Sequence, residues 1–222
     1  MAKLVSLMRG HGCHESVRDH FLTFTEAFEG RVPWMYLDTR GLVTTAVGNL
    51  IDSEEDACRL AWIRTDGRHA TDAEVRAEWR RVKGMTELAR RGAGAAADVT
   101  ELRLTEADID ALVQCWFDAN TRILRRTYTE WDSWPADAQL GCHSMLWSGA
   151  FFPLDSHWPR FNAAARARDW VAAAEQCHEQ EWNNRCAIAR NAANHELFLN
   201  AAMVEAEGLA VTELCRPRGE IA

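Results

Sequence analysis

Val17, Phe21, Phe24 and Phe28 recur at three- and four-residue intervals, which predicts a helix beginning at Ser16, and Gly30 is placed to terminate it. The periodicity then changes. Residues 34–51 contain a polar turn, Asp38-Thr39-Arg40-Gly41, followed by the β-prone run Leu42-Val43-Thr44-Thr45-Ala46-Val47, and together they predict a small hairpin. Helix starts follow at Ser53 with Asp56, Thr71 with Glu74 and Thr105 with Asp108, each a variant of the reciprocal capping arrangement. Val75, Trp79 and Val82 form one apolar stripe, and Ile109, Leu112, Val113, Trp116 and Ile123 form a longer one.

Pro135 and Pro159 each stand where a first helical turn would begin, and Asp169 is placed to cap a helix carrying Trp170, Ala173, Ala174 and Cys177. A last helix is predicted from about Ala187 through Leu197 and Phe198 to Val204. Arg90–Val99, with Gly92 and Gly94, reads as a loop, and no internal repeat is visible. The expectation is α+β, mainly α, with a minor sheet.

A chain of 222 residues with 47% hydrophobic residues predicts one domain with an ample core. No apolar run approaches the roughly 18 residues of a membrane-spanning helix, and the N-terminal segment lacks the apolar core and cleavage site of a secretory signal, so the chain is expected to start its life in the cytoplasm. The net charge of -8 is spread evenly: 15 basic and 19 acidic side chains fall in residues 1–111, 10 and 14 in the remainder. Without a basic patch or tail, nucleic acid is not an expected partner. The basic residues are 23 Arg and 2 Lys, a skew with no physical account at this level.

Seven dispersed cysteines with no CxxC pair read as reduced thiols packed as small hydrophobes. The group His11, Cys13 and His14 lacks the second ligand pair of a zinc site, so no metal is expected.

One stretch carries candidate chemistry. Glu29 ends the first helix beside apolar Phe28 and Val32, where partial desolvation would raise its pKa as a general acid requires. Asp38, in a polar turn, would stay ionised and orient or activate a water, and Thr44 on the next strand could hold that water through its hydroxyl. Inverting glycoside hydrolysis asks for two carboxylates in different environments, and a hydroxyl that positions water would complete the set. The same residues are common as a solvated helix end and an Asp-x-x-Gly turn, so spacing alone leaves both readings open.

Glu29-Gly30 and the run Tyr36-Leu37-Asp38-Thr39-Arg40-Gly41-Leu42-Val43-Thr44-Thr45-Ala46-Val47-Gly48-Asn49-Leu50 resemble the active-site segment of the phage-type lysozymes, the muramidases of glycoside hydrolase family 24, with signature E-G…Y-x-D-x-x-G-x-x-T-x-G-x-G-H. The resemblance implies Glu29 as general acid, Asp38 as second carboxylate and Thr44 as the residue positioning the attacking water. It also implies a lysozyme-like fold, with a small β-hairpin lobe, a larger helical lobe and a substrate cleft between them. A weaker likeness continues through Ala138–Ala150 with Met145-Leu146-Trp147-Ser148, then Arg160-Phe161-Asn162, Asp169-Trp170, Trp182-Asn183-Asn184-Arg185 and Arg190 to Phe198. On it, Asn49, Trp147, Ser148, Trp182 and Arg185 are the expected substrate-binding residues.

The implied organisation is a single domain over 1–222: active-site helix and hairpin at 16–51, an expanded helical insertion at 52–104, a helical lobe at 105–207 and a tail at 208–222. The insertion would cap the cleft or extend the glycan groove. Two departures stand out: Ala46 replaces the family's second glycine, which would stiffen or narrow the hairpin, and Asn49 replaces its histidine, which removes a titratable neighbour of the acid. Of the 10 Trp, Trp34, Trp147 and Trp182 are candidates to line a sugar cleft, whereas Trp62, Trp79, Trp116 and Trp170 fall on apolar stripes and are expected in the core. His143, His178 and His195 fall on predicted helices without identifiable partners, and Arg76, Arg80 and Arg81 read as a solvated helix face.

The function expected from the resemblance is an inverting muramidase. It would cleave the β-1,4 bond between N-acetylmuramic acid and N-acetylglucosamine in peptidoglycan glycan strands, without cofactor, with its two carboxyl groups roughly 6.5–9.5 Å apart. It would act on the cell wall of a host or target bacterium, as a phage endolysin or as an antibacterial effector such as the lysozyme-like cargo of type VI secretion. The second case implies a cognate immunity protein. The alternatives are a lysozyme-like module that binds glycan or protein without hydrolysis, and a related hydrolase acting on chitin or chitosan.

Overall fold

The computed structural model describes residues 12–149, 157–179 and 185–215, and these are mainly helical with one small antiparallel sheet. Helix α1 spans Glu15–Glu29. The strands β1 (Val32–Leu37), β2 (Val43–Ala46) and β3 (Asn49–Leu50) pair in the order β1-β2-β3. Helices α2 (Glu54–Cys58), α3 (Asp72–Gly84), α4 (Glu106–Thr127), α5 (Ala136–Trp147), α6 (Pro159–Arg166), α7 (Trp170–Gln176) and α8 (Arg185–Glu207) follow. No described helix is long and apolar enough to cross a membrane. Contacts divide the chain into two compact units, one of residues 25–116 and the other of residues up to 24 with those from 117 onward. The divisions fall inside α1 and α4.

Within the 25–116 unit the sheet is the scaffold. Tyr36 pairs with Thr44 and Leu37 with Val43, and a register irregularity lies between Val32 and Tyr36. The central strand β2 is buried at all four positions. The predicted caps form: Ser53 accepts the Asp56 N–H at 3.0 Å, Thr71 and Glu74 make a reciprocal capping box, and Thr105 accepts the Asp108 N–H at 3.1 Å.

The stretch read as a loop, Arg90–Val99, is instead wound into a 3-10 helix over Ala93–Val99 that packs on β1 with Ala96 fully buried. Alanines small enough to seat against a strand make that possible where the two glycines suggested open chain. The Arg76, Arg80 and Arg81 face is ion-paired, with Arg76 and Arg80 meeting Glu54 and Arg81 meeting Glu78. Buried Glu78 accepts the backbone N–H of Glu101 at 2.7 Å and of Leu102 at 3.1 Å, fastening the end of this segment to α3.

In the other unit α5 is buried on every side from Ala136 to Leu146. A Cβ at Gly141 would stand 2.8 Å from the Phe198 ring, so glycine is what lets α8 lie against α5. Tyr128, Trp131, Trp134, Phe161, Trp170 and Phe198 form the aromatic part of this core. The proline-led starts at α5 and α6 and the Asp169 cap on α7, 3.0 Å from the Ala172 N–H, are present as predicted.

Trp116 is not core: it is 45% exposed. Of the predicted stripe Ile109 and Val113 are fully buried, and the buried face continues through Phe117 and Leu124 and not through Trp116. His143 has a partner after all. Thr121 donates to the Phe117 carbonyl at 2.9 Å, which leaves its oxygen to accept from His143 Nε2 at 3.2 Å. His178 lies outside the helices, with its ring against that of His195.

Candidate functional site

Glu29, Asp38, Thr44 and Asn49 all belong to the 25–116 unit, where Tyr36 lies in the field of the first two and opposite Thr44 in the sheet. Glu29 is the last residue of α1, and its half-buried carboxylate lies against Gly48 in the turn that joins β2 to β3. A Cβ on Gly48 would fall 3.0 Å from Glu29 Oε2 and 3.3 Å from its Cδ, and Gly48 itself has φ +74°. Glycine is therefore required twice there, for the backbone and for the approach of the carboxylate.

Asp38 follows β1 and closes the β1–β2 turn. Its Oδ1 accepts the backbone N–H of Arg40 at 2.9 Å and of Leu42 at 2.8 Å, and its own N–H donates to the Leu42 carbonyl at 2.9 Å. One carboxylate oxygen thus holds the turn. Thr44 is 4% exposed and donates to the Leu42 carbonyl at 3.2 Å.

Tyr36 links the set. It is the cross-strand partner of Thr44 and shares its face of the sheet, and it stands two residues before Asp38. Burial pushes its phenol well above the usual tyrosine range, and the negative charges of Glu29 and Asp38, in that order, push it further. A neutral phenol that senses both carboxylates is a hydrogen-bond donor, not an acid at neutral pH. Sequence reasoning passed over Tyr36 as a site residue, although its place two before Asp38 on a strand put it on the same face.

Ala46 has φ +53°, one of two non-glycine residues with positive φ among the described residues. The backbone at this position keeps the conformation a glycine would adopt, and the chain carries a strained alanine there. Asn49 is turned inward: it is 4% exposed and its Oδ1 accepts the Val47 N–H at 3.1 Å, bracing the same turn that carries Gly48. Trp34 is engaged by the 3-10 segment, donating to the Ala93 carbonyl at 2.9 Å beneath the Arg103 guanidinium.

The remaining predicted residues belong to the other unit. Trp147 packs edge-on against Phe21 at 5.2 Å. Ser148 lies within hydrogen-bond distance of the Met145 carbonyl, at 2.8 Å, and of the Glu179 carboxylate. Arg185 is exposed at the start of α8, and Trp182 lies outside the described residues. Among the described residues no three His, Cys, Asp or Glu side chains group as metal ligands. Comparison of the chain with protein families, with curated proteins and with solved structures gives no match.

The arrangement offers one carboxylate at a helix end, a second with one oxygen fixed by a turn, a neutral phenol between their fields and a threonine hydroxyl across the strand. Those groups suffice for proton donation to a leaving oxygen and for holding a water.

Proposed function

We propose that the chain is a glycoside hydrolase acting on peptidoglycan with inversion, an N-acetylmuramidase. The observation that carries the reading is the seating of the Glu29 carboxylate on Gly48, in the β2–β3 turn of the sheet whose β1–β2 turn carries Asp38 and whose central strand carries Thr44. The likeness of residues 29–50 to the phage-type lysozyme signature supports it. Glu29 protonates the glycosidic oxygen as the bond to the anomeric carbon breaks. Asp38 accepts a proton from the water that Thr44 orients, and that water adds to the opposite face of the sugar. Neither step calls for a cofactor. On this reading the cell wall of a host or target bacterium is the site of action, reached as an endolysin or as a delivered antibacterial effector with its immunity protein.

A second reading is a glycan- or protein-binding module without hydrolysis. It is favoured by the engagement of Asp38 Oδ1 in two backbone hydrogen bonds and by the near-complete burial of Thr44.

Incubation of purified peptidoglycan with the protein and with Glu29→Gln, followed by mass analysis of soluble products, separates the two. Release of disaccharide-peptides with reducing muramic acid ends by the wild type alone supports the muramidase. Sedimentation of both with the wall and no release by either supports the module. Equal release by both removes Glu29 from the acid role, and release from chitin oligomers but not peptidoglycan moves the activity to chitin.

A further inference from the structure

Many of the described arginines are paired with acids: Arg31 with Glu26, Glu106 and Asp110, Arg64 with Glu74, Arg76 and Arg80 with Glu54, Arg168 with Glu205. Arg122 and Arg126 are not, and unlike the exposed Arg40, Arg90 and Arg91 they stand together at one cavity. Among the described residues neither has an ion pair or a hydrogen bond to a neighbour, although both stand in the last turns of α4, four residues apart and on the same side of the helix. Like charges at that spacing repel by a few tenths of a kcal/mol. A helix C-terminus welcomes a cation, which accounts for one arginine at the end of α4 but not for an uncompensated pair.

These two side chains and Arg125 line one cavity of about 260 Å³. Tyr128 and Trp131, each 1% exposed, and Thr129 line it as well. The one acid in the lining, Asp132, is held by Arg125 at 2.9 and 2.6 Å. Arg166 lies over the Tyr128 ring, 5.8 Å from its centroid. In a chain of net charge -8, this concave surface presents three guanidinium groups and one carboxylate that is already paired. Low-dielectric aromatic walls focus the surplus positive field into the cavity. Guanidinium forks match the paired oxygens of phosphate and carboxylate groups.

We propose that the Arg122–Arg125–Arg126 cavity is a binding site for a multivalent oxyanion, supplied by a phosphate-bearing or a carboxylate-bearing ligand. Arg122 and Arg126 make the direct contacts, and Arg125, fixed by Asp132, adds field and shape. The site is independent of the glycosidase reading, since Glu29, Asp38 and Thr44 belong to the other unit.

Calorimetric titration of the full chain with sodium tripolyphosphate and, separately, with citrate at low ionic strength tests it. The expected result is saturable one-to-one binding of at least one probe in the sub-millimolar range, weakening as salt is raised. Arg122→Gln with Arg126→Gln should weaken it at least fivefold, while Arg90→Gln with Arg91→Gln, exposed arginines of the other unit, should leave it unchanged. Preference for tripolyphosphate identifies a phosphate-bearing ligand, and equal or better citrate binding identifies clustered carboxylates. No saturable binding of either probe, or equal loss in both double variants, overturns the proposal. Thermal melting of each variant verifies the fold. If the glutamine pair is unfolded, Arg122→Lys with Arg126→Lys, which keeps charge but loses the forks, must still weaken binding for the proposal to stand.

Discussion

Gly48 stands where any side chain would strike the Glu29 carboxylate: a Cβ there lies 3.0 Å from Oε2, on a backbone with φ +74°. The helix end and the β2–β3 turn are fitted to each other through an absent side chain. Gly48→Ala should therefore cost about 1 kcal/mol from the left-handed backbone alone, which corresponds to roughly 2–4 °C in Tm for a chain of this size. It should also push Glu29 aside, lowering peptidoglycan release at least tenfold. A variant that loses stability but keeps full release would show that the placement of Glu29 against the turn does not matter.

Ala46 gives the opposite sign. Its φ of +53° is strained for an L side chain, and it is fully buried in β2. Ala46→Gly should stabilise by about 0.5–1 kcal/mol, the relief of strain exceeding the greater freedom glycine gives the unfolded chain. Urea unfolding of the two proteins is sufficient to measure it, and a lower midpoint for the glycine variant would refute the strain argument.

Asp38 has two separable tasks. Asp38→Asn retains an oxygen to accept the Arg40 and Leu42 N–H groups, so the turn and Tm should change little while hydrolysis falls by at least a hundredfold. Asp38→Ala removes the acceptor and should cost a further 1–2 kcal/mol of stability. If Asp38→Asn hydrolyses peptidoglycan at the wild-type rate, its carboxylate serves the turn alone.

Two buried groups on α5 titrate with opposite effect. Burial raises the Asp137 carboxyl from 3.8 to about 6, against the Cys215 N–H and Asn200 amide that favour its charge, with Glu196 adding to the rise. The folded state thus binds its proton more tightly than the unfolded chain, and the stability this contributes is present below about pH 4 and lost as pH rises through 6. Burial, with a smaller contribution from Arg18, lowers His143 from 6.5 to about 3. Its contribution is present above pH 6.5 and is lost as pH falls toward 3.

At 1.36 kcal/mol per pKa unit the two are of order 3 and 5 kcal/mol, and they oppose each other between pH 4 and 6. His143→Gln should unmask a gain in stability on acidification over that window, and Asp137→Asn should steepen the loss. Urea midpoints at several pH values measure both. Parallel profiles for all three proteins would remove both assignments.

Legibility in the sequence followed the range of the interactions. The caps at Ser53, Thr71, Thr105 and Asp169, the proline-led starts of α5 and α6, and the glycine stop after α1 are exchanges between residues a few positions apart, and each stood where its pattern placed it. The turn built on Asp38 was readable for the same reason. Trp116 was misplaced because, beyond the correctly read Ile109 and Val113, the rows continuing through Trp116 and through Phe117 and Leu124 are neighbours on one helix, and periodicity cannot say which the rest of the molecule covers. Arg90–Val99 was misread because glycines marked an open loop while the alanines that follow them found β1 to pack on.

By itself, then, the sequence determined the helical majority, the small sheet and the spacing of Glu29, Asp38 and Thr44, since these depend on backbone preference and on contacts within a turn or a hairpin. Only the tertiary structure decided that Gly48 receives the Glu29 carboxylate, that Tyr36 lies in the field of both acids, that Ala46 holds a glycine's backbone, and that Asn49 is turned into its own turn. Those outcomes depend on where a helix end meets a sheet. That meeting is fixed by burial and close packing among distant residues, which no local pattern encodes.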